Sequence, residues 1–111
     1  MLAFVRRVVE ARGGRAAVTV LAQVVAEVGA RPAGDTARVL VEGYADSDGD
    51  VRHNQDLSER RAGAVATWLA ANGVPAAAIT TVGWGETKPA VEETDDATKA
   101  QNRRVVVTVG T

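Results

Sequence analysis

The residues most able to do chemistry form an acidic segment that is followed by two arginines. Asp46, Asp48 and Asp50 alternate along this segment, and Arg60 and Arg61 come after it. A carboxylate can pair with an ammonium group, and a guanidinium can hold a carboxylate through two parallel hydrogen bonds. Placed close together, Asp46 and Arg61 would bind both charges of a zwitterion, such as the end of an amino acid. The sequence therefore suggests a zwitterion-binding site.

Two elements must bring these charges together. The segment Arg38–Tyr44 is predicted to form a strand that ends just before Asp46. Ser58 is predicted to be the N-cap of a helix that runs to about Asn72. This start places Arg61 at the third helical position, where a cation costs about 0.3–1 kcal/mol. A ligand carboxylate would offset that cost, since the free amides of a helix N-terminus also attract anions. An Asp in a turn usually caps that turn, and an Arg in a first helical turn is usually solvated or paired with that Asp, so spacing alone favours a structural role over ligand binding.

The other elements follow from apolar periodicity and from glycine and proline breaks. The predicted second helix has Leu57 stapled against Ala62 and ends before Gly73 and Pro75. Its buried stripe is Ala62, Val65, Trp68 and Leu69. The remaining predictions are a strand over Leu2–Glu10, a helix from Arg15 to about Ala30, a strand over Ile79–Gly83, a helical turn within Thr94–Gln101 and a strand over Arg103–Val109. The order β-α-β-α-β-β predicts an α+β fold, a two-layer α/β sandwich with the helices packed on one face of a mixed four-stranded sheet.

Composition limits the class of protein. The 111 residues predict a single domain over 1–111. The chain has 14 acidic and 13 basic residues and a net charge of −1, which argues against a nucleic-acid partner. It has no cysteine, so no disulfide framework is predicted. The apolar stretch over residues 1–9 contains Arg6 and Arg7, and it therefore predicts neither a membrane span nor an export signal.

The chain resembles the OmpA-like peptidoglycan-binding domain family over most of its length. The matching residues occur in the family's order and at compatible spacings, which is far more specific than one short motif. They are Gly43, Asp46 and Gly49 of the acidic segment, Asn54, Leu57, Ser58, Arg61 and Ala62, then Val65, Trp68 and Leu69, then Gly73, Val74, Ile79, Gly83, Trp84, Gly85, Glu86 and Pro89, and finally Asn102, Arg103, Arg104 and Val105. Residues 1–38 match only in the order of their elements.

The resemblance implies non-covalent binding of peptidoglycan through the diaminopimelate residue of its stem peptide. Asp46 would receive the ammonium group, and Arg61 would receive the carboxylate. A domain of this kind anchors a cell-envelope protein to the cell wall in the periplasm, and its parent chain is commonly membrane-associated, as an outer-membrane barrel, a lipoprotein or a motor stator. The family also implies that the pocket is lined by Asn54, Leu57 and Ser58, with Asn102 and Arg104 near the site. Arg104 fits a role covering the sheet surface equally well.

Two positions depart from the family pattern. Tyr44 replaces a common histidine, and Ala45 replaces a common threonine. The tyrosine keeps a hydroxyl group, whereas Ala45 loses a side-chain hydrogen bond worth about 1 kcal/mol. Both positions belong to the predicted ligand-binding set, and their change keeps a second hypothesis open. In that hypothesis the domain serves protein interaction or assembly and its ligand site has decayed.

Metal binding and catalysis have weaker support. The alternating aspartates are typical of an EF-hand calcium loop, but its sixth and twelfth positions are Val51 and Leu57 instead of Gly and Glu. The one histidine, His53, has no evident nucleophile beside it, so a wall hydrolase is the weakest hypothesis. The sequence predicts no cofactor, no metal and no enzymatic activity.

Overall fold

The chain folds as a four-stranded mixed sheet with helices on one face. The computed structural model describes residues 5–10, 14–31 and 37–110. A short 3-10 turn over Ala76–Ala78 leads into the third strand. The elements in chain order are β1 (Val5–Glu10), α1 (Gly14–Gly29), β2 (Arg38–Gly43), α2 (Val51–Ala71), β3 (Ile79–Gly83), α3 (Asp96–Asn102) and β4 (Arg104–Gly110). The predicted α+β fold class is confirmed.

The sheet gathers the chain segments that form the site at one edge. Its strand order is β1-β4-β2-β3, with β4 antiparallel to β1 and β2, and with β2 parallel to β3. Gly43 at the end of β2 lies opposite Val105 near the start of β4, and beside Gly83 at the end of β3. The segments that follow β2 and β3 and precede β4 therefore meet at this edge.

The core lies between the helices and the inner face of the sheet. Val39 and Val41 of β2 and Val107 of β4 are at most 1 % exposed. The two β2 valines alternate with more exposed residues along that strand. Such alternation is typical of a strand with one buried face. Leu69 of α2 and Val24 of α1 pack on this layer. Each buried valine or leucine contributes about 1.5–3 kcal/mol, so this layer carries most of the stability.

The predicted stripe of α2 is confirmed. Ala62 and Leu69 are fully buried, and Val65 and Trp68 pack against the core at partial exposure. The helix ends where the sequence predicts, since Asn72 is its C-cap and Gly73 has a positive φ of 108°. A residue in this conformation is most often glycine.

The predicted start of α2 is wrong. The helix begins at Val51, and its N-cap is Asp50, whose carboxylate accepts a hydrogen bond from the Arg52 amide at 3.2 Å. Ser58 therefore lies inside the helix and does not cap it, and the staple between Leu57 and Ala62 does not form an N-terminus. Gly49 has a positive φ of 86° and makes the turn that precedes the cap, as its type predicts.

Loss of the cap gives a first test of this boundary. Replacing Asp50 with alanine is expected to destabilise the domain by about 1 kcal/mol, because an N-cap carboxylate satisfies an otherwise unpaired amide. Urea denaturation measures the change. Asp50→Asn is the control, since asparagine caps equally well. Equal losses in both variants would contradict the capping role.

The other boundaries agree with the sequence to within a few residues. The first strand is described from Val5, and positions 2–4 of its predicted span lie outside the described residues. The last strand begins at Arg104, one residue later than predicted. The predicted helical turn is the short helix α3. Among the helices of the described ranges, none has the length and apolar character required to cross a bilayer.

Candidate ligand-binding site

Asp46 lies at the sheet edge just beyond β2, with an exposed fraction of 7 %. Its Oδ2 atom accepts a hydrogen bond from Arg103 Nη1 at 2.5 Å. Its Oδ1 atom accepts one from the Asp48 amide at 3.0 Å, which closes a tight turn. The carboxylate is thus fixed by a cation on one side and by its own loop on the other.

Arg61 lies in the middle of α2, close to the pair formed by Asp46 and Arg103. Burial lowers the pKa of its guanidinium, the Arg103 cation lowers it further, and the Asp46 carboxylate raises it. Its Nη1 atom is buried and has no hydrogen-bond partner among the described residues. Leaving a buried charged donor unpaired costs more than the roughly 1–3 kcal/mol of a neutral one. A ligand acceptor placed here would therefore satisfy this buried N–H donor of Arg61.

The position of Arg61 changes the physical basis of the site. Because α2 begins at Val51, the free amides of its first turn do not surround Arg61, and the predicted contribution of a helix N-terminus is wrong. A carboxylate here would be held by side chains. Two guanidiniums, Arg61 and Arg103, accompany the single carboxylate of Asp46, so this group of three carries one surplus positive charge.

Asn54 and Ser58 of α2 hold the site's backbone in place. Asn54 Nδ2 donates to the carbonyl oxygens of Asp46 at 3.2 Å and Asp48 at 2.8 Å, and to Glu86 Oε1 at 3.3 Å. Ser58 Oγ accepts from the Gly85 amide at 2.8 Å. Both residues are buried, at 3 % and 0 % exposure. They tie α2 to the loop after β2 and to the turn after β3.

Leu57 shares the helix face of Asn54 and Arg61. It lies three residues after the first and four before the second, which are neighbour spacings on a helix surface. Its side chain is half-buried. The structure thus brings Asp46, Asn54, Leu57, Ser58 and Arg61 to one region, and their contact with a ligand stays a prediction.

Arg104 and Tyr44 lie together, and their contacts point elsewhere. The Arg104 guanidinium carbon is 3.7 Å from the centre of the Tyr44 ring, and its nitrogens donate to the carbonyls of Asn102 and Lys88. Burial and the nearby Glu42 carboxylate raise the pKa of the Tyr44 phenol. These contacts support the sheet-covering role for Arg104 that the sequence left open.

Ala45 and Asn102 are both buried. Ala45 is 3 % exposed, and its amide donates to the Gly85 carbonyl at 2.8 Å. Asn102 is fully buried, and its Oδ1 atom accepts hydrogen bonds from the amides of Ala90 and Val91 at 2.8 and 3.1 Å. In this arrangement Asn102 organises the segment before β4.

The remaining aspartates of the acidic segment have structural partners. Asp48 Oδ1 pairs with Lys99 Nζ at 3.0 Å, and this contact raises the pKa of the lysine. Asp50 caps α2. Over residues 5–10, 14–31 and 37–110, no group of three or more His, Asp or Glu side chains is arranged to hold a metal ion. His53 is exposed.

Sequence reasoning missed two residues of this region, Arg103 and Glu93. Arg103 stands beside Arg104 in the chain, and nothing in the local pattern says which of the two turns toward Asp46. Strand alternation gives the answer only once the start of β4 is known, because Arg103 precedes the strand and Arg104 is its first residue. Glu93 bonds to Ser47, 46 residues away, which no local pattern reveals.

The fold and the site define a two-layer α+β domain in which one sheet edge carries a paired aspartate and an arginine whose buried Nη1 atom has no partner among the described residues. A model described as the OmpA family matches residues 15–103. This match covers most of the chain, and the chain therefore belongs to the OmpA family.

Relatives of known name support this assignment. A peptidoglycan-associated lipoprotein of Haemophilus influenzae is 48 % identical over 71 residues, which cover 64 % of this chain and 46 % of that protein. The outer-membrane lipoprotein YfiB of Pseudomonas aeruginosa is 43 % identical over 75 residues, which cover 68 % of this chain and 45 % of that protein. The chain thus spans about half the length of these relatives.

A solved structure shows the same fold. The peptidoglycan-associated lipoprotein from Burkholderia pseudomallei superposes with a TM-score of 0.83 at 28 % identity, and the alignment covers 93 % of this chain and 89 % of that chain. The C-terminal domain of MotB from Helicobacter pylori shares the fold at 17 % identity, with a TM-score of 0.78 over 93 % of this chain and 78 % of that chain.

Proposed function

We propose that this domain binds peptidoglycan without covalent chemistry, through the diaminopimelate residue of the stem peptide, and so anchors a cell-envelope protein to the cell wall. The names of the relatives point to association with peptidoglycan and with the outer membrane. The observation that carries the proposal is the buried Arg61 Nη1 atom, which has no partner over residues 5–10, 14–31 and 37–110. A ligand carboxylate supplies the acceptor that this donor lacks.

The side-chain pairing suggests how both charges of the ligand are accommodated. In the free domain Asp46 is paired with Arg103, and Arg61 Nη1 has no partner within the part of the chain that the structure describes. On binding, the ligand ammonium takes the place of Arg103 at Asp46, and Arg103 joins Arg61 on the ligand carboxylate. Every charge then has a partner of opposite sign. Leu57 lines the approach, Asn54 and Ser58 hold the backbone around it, Ala45 and Asn102 support it from inside, and Tyr44 and Arg104 contribute only at its border.

Because the ammonium and carboxylate groups of the ligand are well hydrated before binding, one site is expected to bind modestly. Firm attachment to the wall then comes from many copies, or from a membrane-attached parent chain that raises the effective concentration. The site of action is the periplasm, where the wall lies.

Titration with matched stem peptides tests this proposal. A diaminopimelate-containing peptide is expected to cause saturable amide NMR shifts gathered in residues 44–62 and at Arg103. A peptide with lysine in place of diaminopimelate keeps the ammonium group but lacks the carboxylate, and it should bind about 10- to 100-fold more weakly, since a charge-assisted hydrogen bond contributes about 1.5–3 kcal/mol. Equal binding of the two peptides, or shifts away from this segment, would overturn the proposal.

The alternative is a protein-interaction or assembly domain whose ligand site has decayed. The replacement of the family's common threonine by Ala45 is consistent with this alternative. Sedimentation with purified peptidoglycan distinguishes this alternative from wall binding. Wall binding requires retention that is lost on Asp46→Asn or Arg61→Ala, whereas an assembly domain tolerates both substitutions.

A further inference from the structure

A carboxylate from a distant part of the chain holds the loop that carries Asp46. Glu93 lies in the connection between β3 and α3. Its oxygens accept hydrogen bonds from the Ser47 amide at 3.1 and 3.2 Å, and from Ser47 Oγ at 2.5 Å. The Ser47 and Asn102 donors lower the pKa of the Glu93 carboxyl group, with the hydroxyl of Ser47 as the largest cause.

The segment that carries Glu93 is itself fixed. Asn102 Nδ2 donates to Glu93 Oε2 at 2.9 Å and to the Val91 carbonyl at 3.0 Å. Asn102 has no exposed surface, so this amide is a firm anchor. A second contact joins the same region to the acidic loop, because Lys99 of α3 pairs with Asp48. The connection before β4 therefore fastens the acidic loop at two consecutive residues.

The two residues held by these contacts, Ser47 and Asp48, position the carboxylate of Asp46. Ser47 follows Asp46 directly, and the Asp48 amide is the donor that holds Asp46 Oδ1. If Ser47 were released, the Asp46 side chain would lose the fixed backbone that aims it at Arg103. The loop is exposed at residues 47–50, so it has little burial of its own to hold its shape.

We propose that Glu93 is a positioning residue of the ligand site: it touches no ligand, and it preorganises the Asp46 loop for binding. This inference rests on the proposed function. Preorganisation raises affinity because the free domain has already ordered the groups that the ligand needs.

The charge of Glu93 does not by itself set the sign of its effect on binding, because the ligand carries both an ammonium group and a carboxylate. Loss of loop order should weaken binding. Glu93→Gln separates the two roles, since glutamine removes the charge but keeps an oxygen acceptor for Ser47.

Affinity measurements on two neighbouring substitutions provide the main test. Glu93→Ala is expected to weaken binding of a diaminopimelate-containing stem peptide by about fivefold, the equivalent of one lost hydrogen bond. Glu92→Ala is the matched control, since it removes the same charge from the adjacent exposed position, and it should stay within about twofold. Glu93→Gln keeps an oxygen acceptor for Ser47 and should restore part of the loss.

Amide hydrogen exchange supplies a readout that does not depend on the ligand. In Glu93→Ala the amides of Ser47 and Asp48 should exchange faster, while that of Val107 in the core should not change. Unchanged exchange at Ser47, or equal affinity in the two alanine variants, would overturn the positioning role alone. If the unmodified domain does not bind the peptide at all, the proposed function fails, and the positioning role fails with it.

Discussion

Replacing Arg61 with alanine is expected to remove stem-peptide binding without lowering the thermal stability of the domain. The lost charge-assisted hydrogen bonds correspond to about 1.5–3 kcal/mol each, so affinity should fall by at least about 10- to 100-fold. Stability should hold or rise, because the substitution removes a buried donor without a partner among the described residues. Calorimetric titration and a thermal melt measure the two effects.

The neighbouring arginine gives the control for this experiment. Arg60 is exposed, and its Nε atom pairs with Asp56 at 3.0 Å one helical turn earlier. Arg60→Ala removes the same charge from the same helix, but an exposed pair contributes only about 0.3–0.5 kcal/mol to stability. Affinity should change little. Equal losses of affinity in the two variants would show that general positive charge, and not the unpaired Arg61 donor, drives binding.

Gly43→Ala is expected to cause a large loss of stability. A Cβ atom at position 43 would lie 2.0 Å from the Ser58 carbonyl oxygen and 2.9 Å from its carbon. These are backbone atoms of α2, so the helix would have to move away from β2. Overpacking of this kind costs about 1–3 kcal/mol and occasionally more, and a contact this short belongs at the upper end. The midpoint and slope of urea denaturation report the change.

Gly63 is the matched control on α2. A Cβ atom there meets nothing within 4 Å. Gly63→Ala should therefore stabilise the domain by about 0.5–1 kcal/mol, because alanine loses less conformational freedom in a helix. If Gly43→Ala were as harmless as Gly63→Ala, the close approach of α2 to β2 would be wrong, and with it the placement of Arg61 beside Asp46.

The strands and the core were predictable from sequence because their signals are local. Alternation in Arg38–Gly43 follows from one buried face of a sheet, the valine run in Arg104–Gly110 is typical of a more fully buried strand, and glycine with proline after α2 ends the helix. The start of α2 was not predictable in the same way. Asp50 and Ser58 are both good N-cap residues, and one contact that holds the earlier turns of the helix, from Asn54 to Glu86, joins residues 32 apart in the chain.

The site was predictable in part. The resemblance identified Asp46 and Arg61, and the structure brings them close together. It did not identify Arg103 as the partner of Asp46, since two adjacent arginines look alike until the strand register is fixed. The bond from Glu93 to Ser47 depends on how the chain returns to the sheet edge, which only the folded arrangement provides.

The placement of β4 between β1 and β2 has a consequence for the order of folding. β1 and β2 each pair with β4 and not with one another, so neither gains its antiparallel neighbour until residues 104–110 are available. A chain emerging from its N-terminus can form only the parallel ladder of β2 and β3 beforehand. Long-range pairing of this kind slows folding and leaves strand edges open meanwhile. β4 must therefore begin to pair with β2 before Asp46 acquires Arg103, the residue that directly precedes β4.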